Sequence, residues 1–306
     1  DRLLTPMGTL RSLRSTRGTA HGTAHSLVAA TGGRGARTAG AAVAYEMAWD
    51  NVTDAELLPD LVKKARETEM GYFARLGVYK YATHADQQQT LGKIIGVRWV
   101  DVNKGDADDP EYRSRLVGRE FNVGKGDAVY AATPPLEALR IIISHAATHP
   151  ECGPQRVVMI NDVRRAYFYG KMNRDVYIEL PKEDPKFRTG LLGKLKLCLY
   201  GTRDAASNWQ ELLSAHLENI GFTRGIGHPS VYYHPEKGLV TMVHGDDYTT
   251  AGGIDELRWL KQKLEEAYEI KTQIIGPDGD KIGKVLSRVI TYTGSGFELE
   301  ADQRHS

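Results

Sequence analysis

Two adjacent carboxylates stand in "LVTMVHGDDYTTAGG", residues 239–253: Asp246 and Asp247, between an apolar run and a glycine pair. At ~5 Å and an effective dielectric of ~20, two like charges repel by about 3 kcal/mol. A solvated hairpin turn relieves part of that repulsion, and Gly and Asp favour turns whatever the function. A divalent cation does more, because it converts the repulsion into affinity. A third acid, Asp162, ends the short apolar run "RVVMIND" at 156–162. Such a run reads as a buried central strand, where an unpaired acid is costly. If that strand lies beside the hairpin, three carboxylates converge. Three acids on neighbouring strands suit a pair of Mg²⁺ ions, which sit roughly 3.5–4 Å apart in two-metal sites. That chemistry fits nucleotidyl transfer, and it also fits a two-metal nuclease or phosphatase.

Holding such a site requires a sheet with helices behind it, and the patterning supplies both. "DAELLPDLVKKARETEMGYF" (54–73) reads as a helix, or as a helix broken at Pro59. "GKIIGVRWVDVN" (92–103) and "YRSRLVGREFNV" (112–123) read as the two strands of a hairpin, with turn residues between them. "PPLEALRIIISHAATH" (134–149) is a proline-led helix, and "DVYIELP" (175–181) alternates as a half-buried strand. In "AASNWQELLSAHLENIGF" (205–222), Trp209, Leu212, Leu213, Leu217 and Ile220 are expected on one helical face. Leu257, Leu260, Leu264 and Tyr268 form the inner face of a second helix, 254–270. Strands and helices interleave without a Gly-rich phosphate loop, so an α+β sheet domain is expected rather than a dinucleotide-binding fold.

The chain has 306 residues, 41% of them hydrophobic, enough for one large core or for two to three smaller ones. Its formal charge of +1 is unevenly spread, since residues 1–44 carry six arginines against the single acid Asp1. That Arg-, Ser-, Gly- and Ala-rich stretch reads as a disordered basic linker. Cys152 and Cys198 lie far apart with no CxxC spacing, so neither a disulfide framework nor a zinc site is read here. No apolar run reaches the ~18 residues of a membrane span. The chain starts at Asp1 rather than Met and is expected to be a slice of something longer.

Three ordered stretches carry a resemblance. "VVMINDVRRAYFYGKMNRDVYIELP", "GKLKLCLYGTRDAASNWQELLSAHLENIGF" and "LVTMVHGDD" resemble the motifs of copia-type LTR-retrotransposon reverse transcriptases. The likeness runs from about residue 50 to the end. It implies a right-hand polymerase of α+β class, with an antiparallel palm sheet backed by helices. The fingers-like region would span 45–155, the palm 156–272, and a truncated start of the thumb 273–306. It also implies Mg²⁺ as cofactor, as two ions with Mn²⁺ as substitute, and a metal set of Asp162, Asp246, Asp247 and the backbone carbonyl of Val163. Tyr200 and Gly201 would pack against nucleotide and template. Lys104, Arg113 and Arg115 would grip the triphosphate, with the choice between the two arginines left open by strand register. The sequence departs from the family at His244, Gly245, Thr202, Asp204 and Ala206, and more mildly at Arg164 and Tyr167. None of these is an expected metal ligand.

Gly-Asp-Asp is also the turn of viral RNA-dependent RNA polymerases, the rival reading. Five residues after Asp162 such an enzyme carries another Asp, whereas this chain has Tyr167. A ring beneath the sugar excludes a 2′-hydroxyl and selects dNTPs, since that hydroxyl separates RNA from DNA building blocks. A third reading is a decayed fold that only binds nucleic acid. The expected partners are an RNA or DNA template with primer, dNTPs, and the integrase and RNase H parts of one polyprotein, with no membrane. The expected compartment is a cytoplasmic particle or the nucleus, without secretion.

Overall fold

The computed structural model describes residues 48–106, 108–120, 134–148 and 155–302; the expected basic linker at 1–44 lies outside them. The described chain starts with strands β1 (Ala48–Trp49) and β2 (Glu56–Leu57), followed by helix α1 (Pro59–Leu76). Pro59 is the first helical residue, where its missing N–H costs nothing. The expected helix at 54–73 therefore starts later, after a short strand. Strand β3 (Tyr79–Ala82), helix α2 (His84–Thr90), β4 (Lys93–Ile95), β5 (Val97–Asn103) and β6 (Tyr112–Gly118) follow. The strand expected over 92–103 breaks at Gly96. Its first part, β4, joins a four-stranded sheet, and only β5 pairs with β6 as a hairpin.

Beyond these lie helix α3 (Leu136–Ala147), strand β7 (Arg156–Val163), a 3-10 turn (Ala166–Tyr169), β8 (Val176–Glu179), β9 (Leu192–Leu195) and helix α4 (Ala205–Asn219). Next come β10 (Thr223–Arg224), β11 (Val231–His234), β12 (Leu239–His244), β13 (Asp247–Gly253) and helix α5 (Ile254–Ala267). The described chain ends with β14 (Ile270–Ile275), β15 (Ile282–Val285), β16 (Arg288–Tyr292) and β17 (Phe297–Ala301). Strands β3, β9, β8 and β4 form the four-stranded sheet, whose one parallel pair is β4 with β8. No described helix is long and apolar enough to cross a membrane.

The functional centre rests on a six-stranded antiparallel sheet ordered β10-β11-β12-β13-β7-β14. Strand β7 is covered on both faces, which explains its unbroken apolar run. Val157, Met159 and Val163 pack with Trp209, Leu213 and Leu217 of α4 and Leu257, Leu260 and Leu264 of α5. Val158 and Ile160 pack on the opposite face with Leu139, Ile142 and Ile143 of α3, and with Val285 and Ile290 of the β15-β16-β17 sheet. One expected core residue fails. Leu212 is 38% exposed, because it lies on the flank of the stripe that runs from Trp209 through Leu213 to Leu217.

Candidate active site

The hairpin of β12 and β13 closes through two residues, Gly245 and Asp246, between the paired His244 and Asp247. Gly245 has φ +61, while Asp246 is not among the positive-φ residues. Gly at the first turn position with positive φ is the type II′ signature, whose twist suits a tight hairpin. Two bonds fix this turn from either side. The Val163 amide donates to the Asp246 carbonyl at 2.9 Å. The Trp209 indole N–H donates to the Gly245 carbonyl at 2.7 Å. Asp247 then begins β13 directly opposite Asp162 of β7.

The three expected carboxylates therefore meet. Asp162, Asp246 and Asp247 each offer an oxygen, and these oxygens lie within 4.8 Å of one another. Burial, and then the Asp246 charge, raise the Asp162 carboxyl above its ordinary range, although Arg113, Arg115 and Arg164 oppose the shift. Burial, with Asp246 and Asp162 beside it, pushes Asp247 up to about 7. These acids resist being charged together, and a set of hard oxygen donors is what Mg²⁺ or Mn²⁺ prefers. Among the described residues this is the one group of three or more His, Cys, Asp or Glu side chains placed to share an ion. The donor set fits a divalent metal.

The acids open into a cleft of about 320 Å³ whose other walls are Val100, Val102, Lys104, Arg113 and Arg115. In the β5–β6 hairpin Val100 pairs with Arg115 and Val102 with Arg113. Residues two apart on a strand share a face, so both arginines look into the cleft. The Arg115 guanidinium stands 4.8 Å from the centroid of the Tyr200 ring. Tyr200 in turn lies 4.6 Å from the Tyr167 ring. Gly201 is needed for its backbone. Its φ is +77, and an added Cβ would stand 2.2 Å from the Gly118 carbonyl oxygen. That close approach lets Gly118 N–H reach the Tyr200 carbonyl at 2.7 Å, tying the hairpin to the turn before α4.

Several contributors escape a reading by motif. Trp209 reads as core from its helical spacing, and nothing local announces the bond from its indole to the turn. Glu120, Arg174 and Asp204 form a clasp: Arg174 gives two bonds to Glu120, at 2.9 and 2.5 Å, and two to Asp204, at 3.2 and 2.8 Å. The Arg203 amide also donates to Glu120, at 3.0 Å. The clasp gives the departure at Asp204 a structural use. The departures at Ala206, His244 and Gly245 line a second cavity of about 180 Å³ with Tyr167, Trp209 and Tyr232.

Comparison with known proteins bears on this geometry. Residues 84–277, more than half of the chain, match the family model described as reverse transcriptase (RNA-dependent DNA polymerase). The retrovirus-related Pol polyprotein from transposon RE1 of Arabidopsis thaliana is 29% identical over 165 residues, 52% of this chain and 11% of that protein. The corresponding polyprotein from transposon RE2 of the same plant is 27% identical over 179 residues, 56% of this chain and 12% of that protein. The match thus spans about a tenth of these relatives' own length. A solved telomerase from Candida albicans, in complex with a fragment of telomeric RNA, superposes with a TM-score of 0.48 at 8% identity, covering 83% of this chain and 52% of that one. The family assignment rests on the sequence match: the chain belongs to the reverse transcriptase (RNA-dependent DNA polymerase) family.

Proposed function

We propose that this chain is the polymerase part of a retrotransposon Pol polyprotein, adding dNTPs to a primer on an RNA or DNA template. The observation that carries the proposal is the meeting of Asp162, Asp246 and Asp247 at the mouth of a cleft walled by Arg113, Arg115 and Lys104. Two Mg²⁺ ions held by the three aspartates, with the Val163 carbonyl near, would supply the charge compensation and hydroxyl activation that phosphoryl transfer needs. The chain's own residues do the rest. Arg113, Arg115 and Lys104 face the place where a triphosphate would lie, and Tyr200 supports the Arg115 guanidinium from below. Val163 and Trp209 hold the turn so that Asp246 stays beside Asp162. Tyr167, which lines the adjoining cavity and packs on Tyr200, would exclude a 2′-hydroxyl.

The template–primer would be bound through its phosphates, with affinity that falls as salt rises. Integrase and RNase H, upstream and downstream in the same polyprotein, and a cytoplasmic particle or the nucleus as compartment belong to this proposal as well. Primer extension on an RNA template, with dNTPs and rNTPs run separately, tests it. Extension with dNTPs, abolished in Asp246→Asn, is the expected result. Activity with rNTPs alone would favour RNA synthesis, and no extension at all would make this a copy that only binds nucleic acid.

A further inference from the structure

The turn that carries Tyr167 begins at a strained residue. Arg165 has φ +53, a left-handed conformation that a non-glycine residue keeps only when its surroundings over-determine it. Helix α1 supplies the restraint. Glu69, 2% exposed, accepts a bond from Arg165 Nε at 3.0 Å and pairs with its Nη2 at 3.0 Å, both through Oε2. The same guanidinium lies 3.2 Å from the centroid of the Tyr72 ring. One helical turn beyond Glu69, Phe73 packs edge-on against Phe168, with 5.0 Å between ring centroids. Residues at this spacing share a helix face, so Glu69, Tyr72 and Phe73 together back residues 165–168.

The turn itself is closed by Phe168 N–H to the Arg165 carbonyl at 2.9 Å and Gly170 N–H to the Tyr167 carbonyl at 3.1 Å. The first of these bonds starts on the residue that Glu69 holds. Glu69 is also an odd choice for stability alone. Its Oε1 is buried without a hydrogen-bond partner, and replacing a buried ion pair by apolar side chains is often neutral or stabilising.

We propose that Glu69 is a positioning residue for sugar selection: it holds Arg165 in the left-handed conformation and so sets where the Tyr167 ring lies under the incoming nucleotide. The inference rests on the reading of Tyr167 as the sugar-excluding ring. Glu69 touches no substrate. When the ion pair is weakened, Arg165 relaxes towards ordinary φ values, the turn shifts, and space opens for a 2′-hydroxyl.

Single-nucleotide incorporation on an RNA template tests this, with kcat and KM measured for a dNTP and its matching rNTP. Glu69→Gln keeps the shape and removes the charge. Arg165→Lys is the second variant: it replaces the planar fork by a point charge while leaving the buried Glu69 carboxylate a cation beside it. Either variant is expected to lower the dNTP-to-rNTP ratio of kcat/KM by about tenfold, mainly through a lower KM for the rNTP, with dNTP turnover within about threefold of wild type. An equal loss for both sugars would mark a merely structural role and overturn the proposal. An unchanged ratio in both variants, while Tyr167→Val lowers it, would overturn it too. If Tyr167→Val itself left the ratio unchanged, the reading of Tyr167 would fall, and this inference with it.

Discussion

Asp162 and Asp247 face each other directly across the antiparallel pairing of β7 and β13. Their register places one acid at the end of a strand buried on both faces and the other at the first position after a two-residue turn. Asp246, in the turn, completes the set. The arrangement stores repulsion that a cation would relieve.

That repulsion has a pH signature. Asp247 is pushed up to about 7 by burial and by the charges of Asp246 and Asp162, against about 3.9 for an unperturbed aspartate. The folded protein then keeps a proton that the unfolded chain has released, so metal-free stability falls as pH rises from about 4 to about 7. Thermal melts across this range should show the fall, millimolar Mg²⁺ should reduce it by binding only the folded site, and Asp247→Asn should flatten it. A slope just as steep in Asp247→Asn would assign the effect to another group.

Trp209→Phe stays aromatic but removes the five-membered ring of the indole and with it the N–H that holds the Gly245 carbonyl. A loss of about 1 kcal/mol in stability is expected from the missing bond. Because the turn that carries Asp246 is what loosens, kcat should fall more than KM rises if the proposed metal site is right. Denaturant unfolding and steady-state kinetics measure the two effects, and an unchanged kcat would deny the turn-holding role.

Tyr167→Val should admit ribonucleotides. The side chain shrinks beneath the expected sugar position while Tyr200, its aromatic neighbour, stays in place against Phe168. Single-nucleotide incorporation should show rNTP use rising by at least about tenfold relative to dNTP use, roughly 1.4 kcal/mol of discrimination. Unchanged sugar selectivity would remove Tyr167 from this role.

The clasp of Glu120, Arg174 and Asp204 links the exit of the β5–β6 hairpin to the start of α4. Arg174 and the Arg203 amide hold the Glu120 carboxyl at about 2, against the cost of its burial. A depressed carboxyl pKa stabilises the fold above the unfolded value of about 4.3, and the contribution is lost as pH falls through about 2. Glu120→Ala leaves Arg174 short of one partner and should cost roughly 2 kcal/mol at neutral pH. Since the hairpin carries Arg113 and Arg115, the same change should raise KM for dNTPs. Urea unfolding and KM measurements read both, and a variant unchanged in both would show that the clasp is decorative.

The parts legible in the sequence are those written in local patterns. The apolar run 157–160 marked a doubly covered strand, Gly-Asp-Asp marked a tight turn, and the 3.6-residue spacing of Leu257, Leu260 and Leu264 marked the inner face of α5. Asp162 stands out because an acid at the end of a buried strand needs a reason. What stayed hidden depends on distant pairings. Glu69 and Arg165 are 96 residues apart, and Glu120 and Arg174 are 54 apart. No periodicity links such partners. The break at Gly96 was invisible because β4 leaves the hairpin to pair in parallel with β8, some 80 residues on. Leu212 is misleading in sequence because the flank of a helical stripe looks apolar yet stays partly open to solvent.

The most direct measurement is single-nucleotide dNTP incorporation on an RNA template, made with Mg²⁺, with a chelator, and in Asp162→Asn and Asp246→Asn. Incorporation should appear with Mg²⁺, vanish with the chelator, and fall by at least about 10³-fold in each variant, a loss of roughly 4 kcal/mol of transition-state stabilisation. Incorporation that survives in either variant, or without divalent metal, would refute a metal centre built on these aspartates.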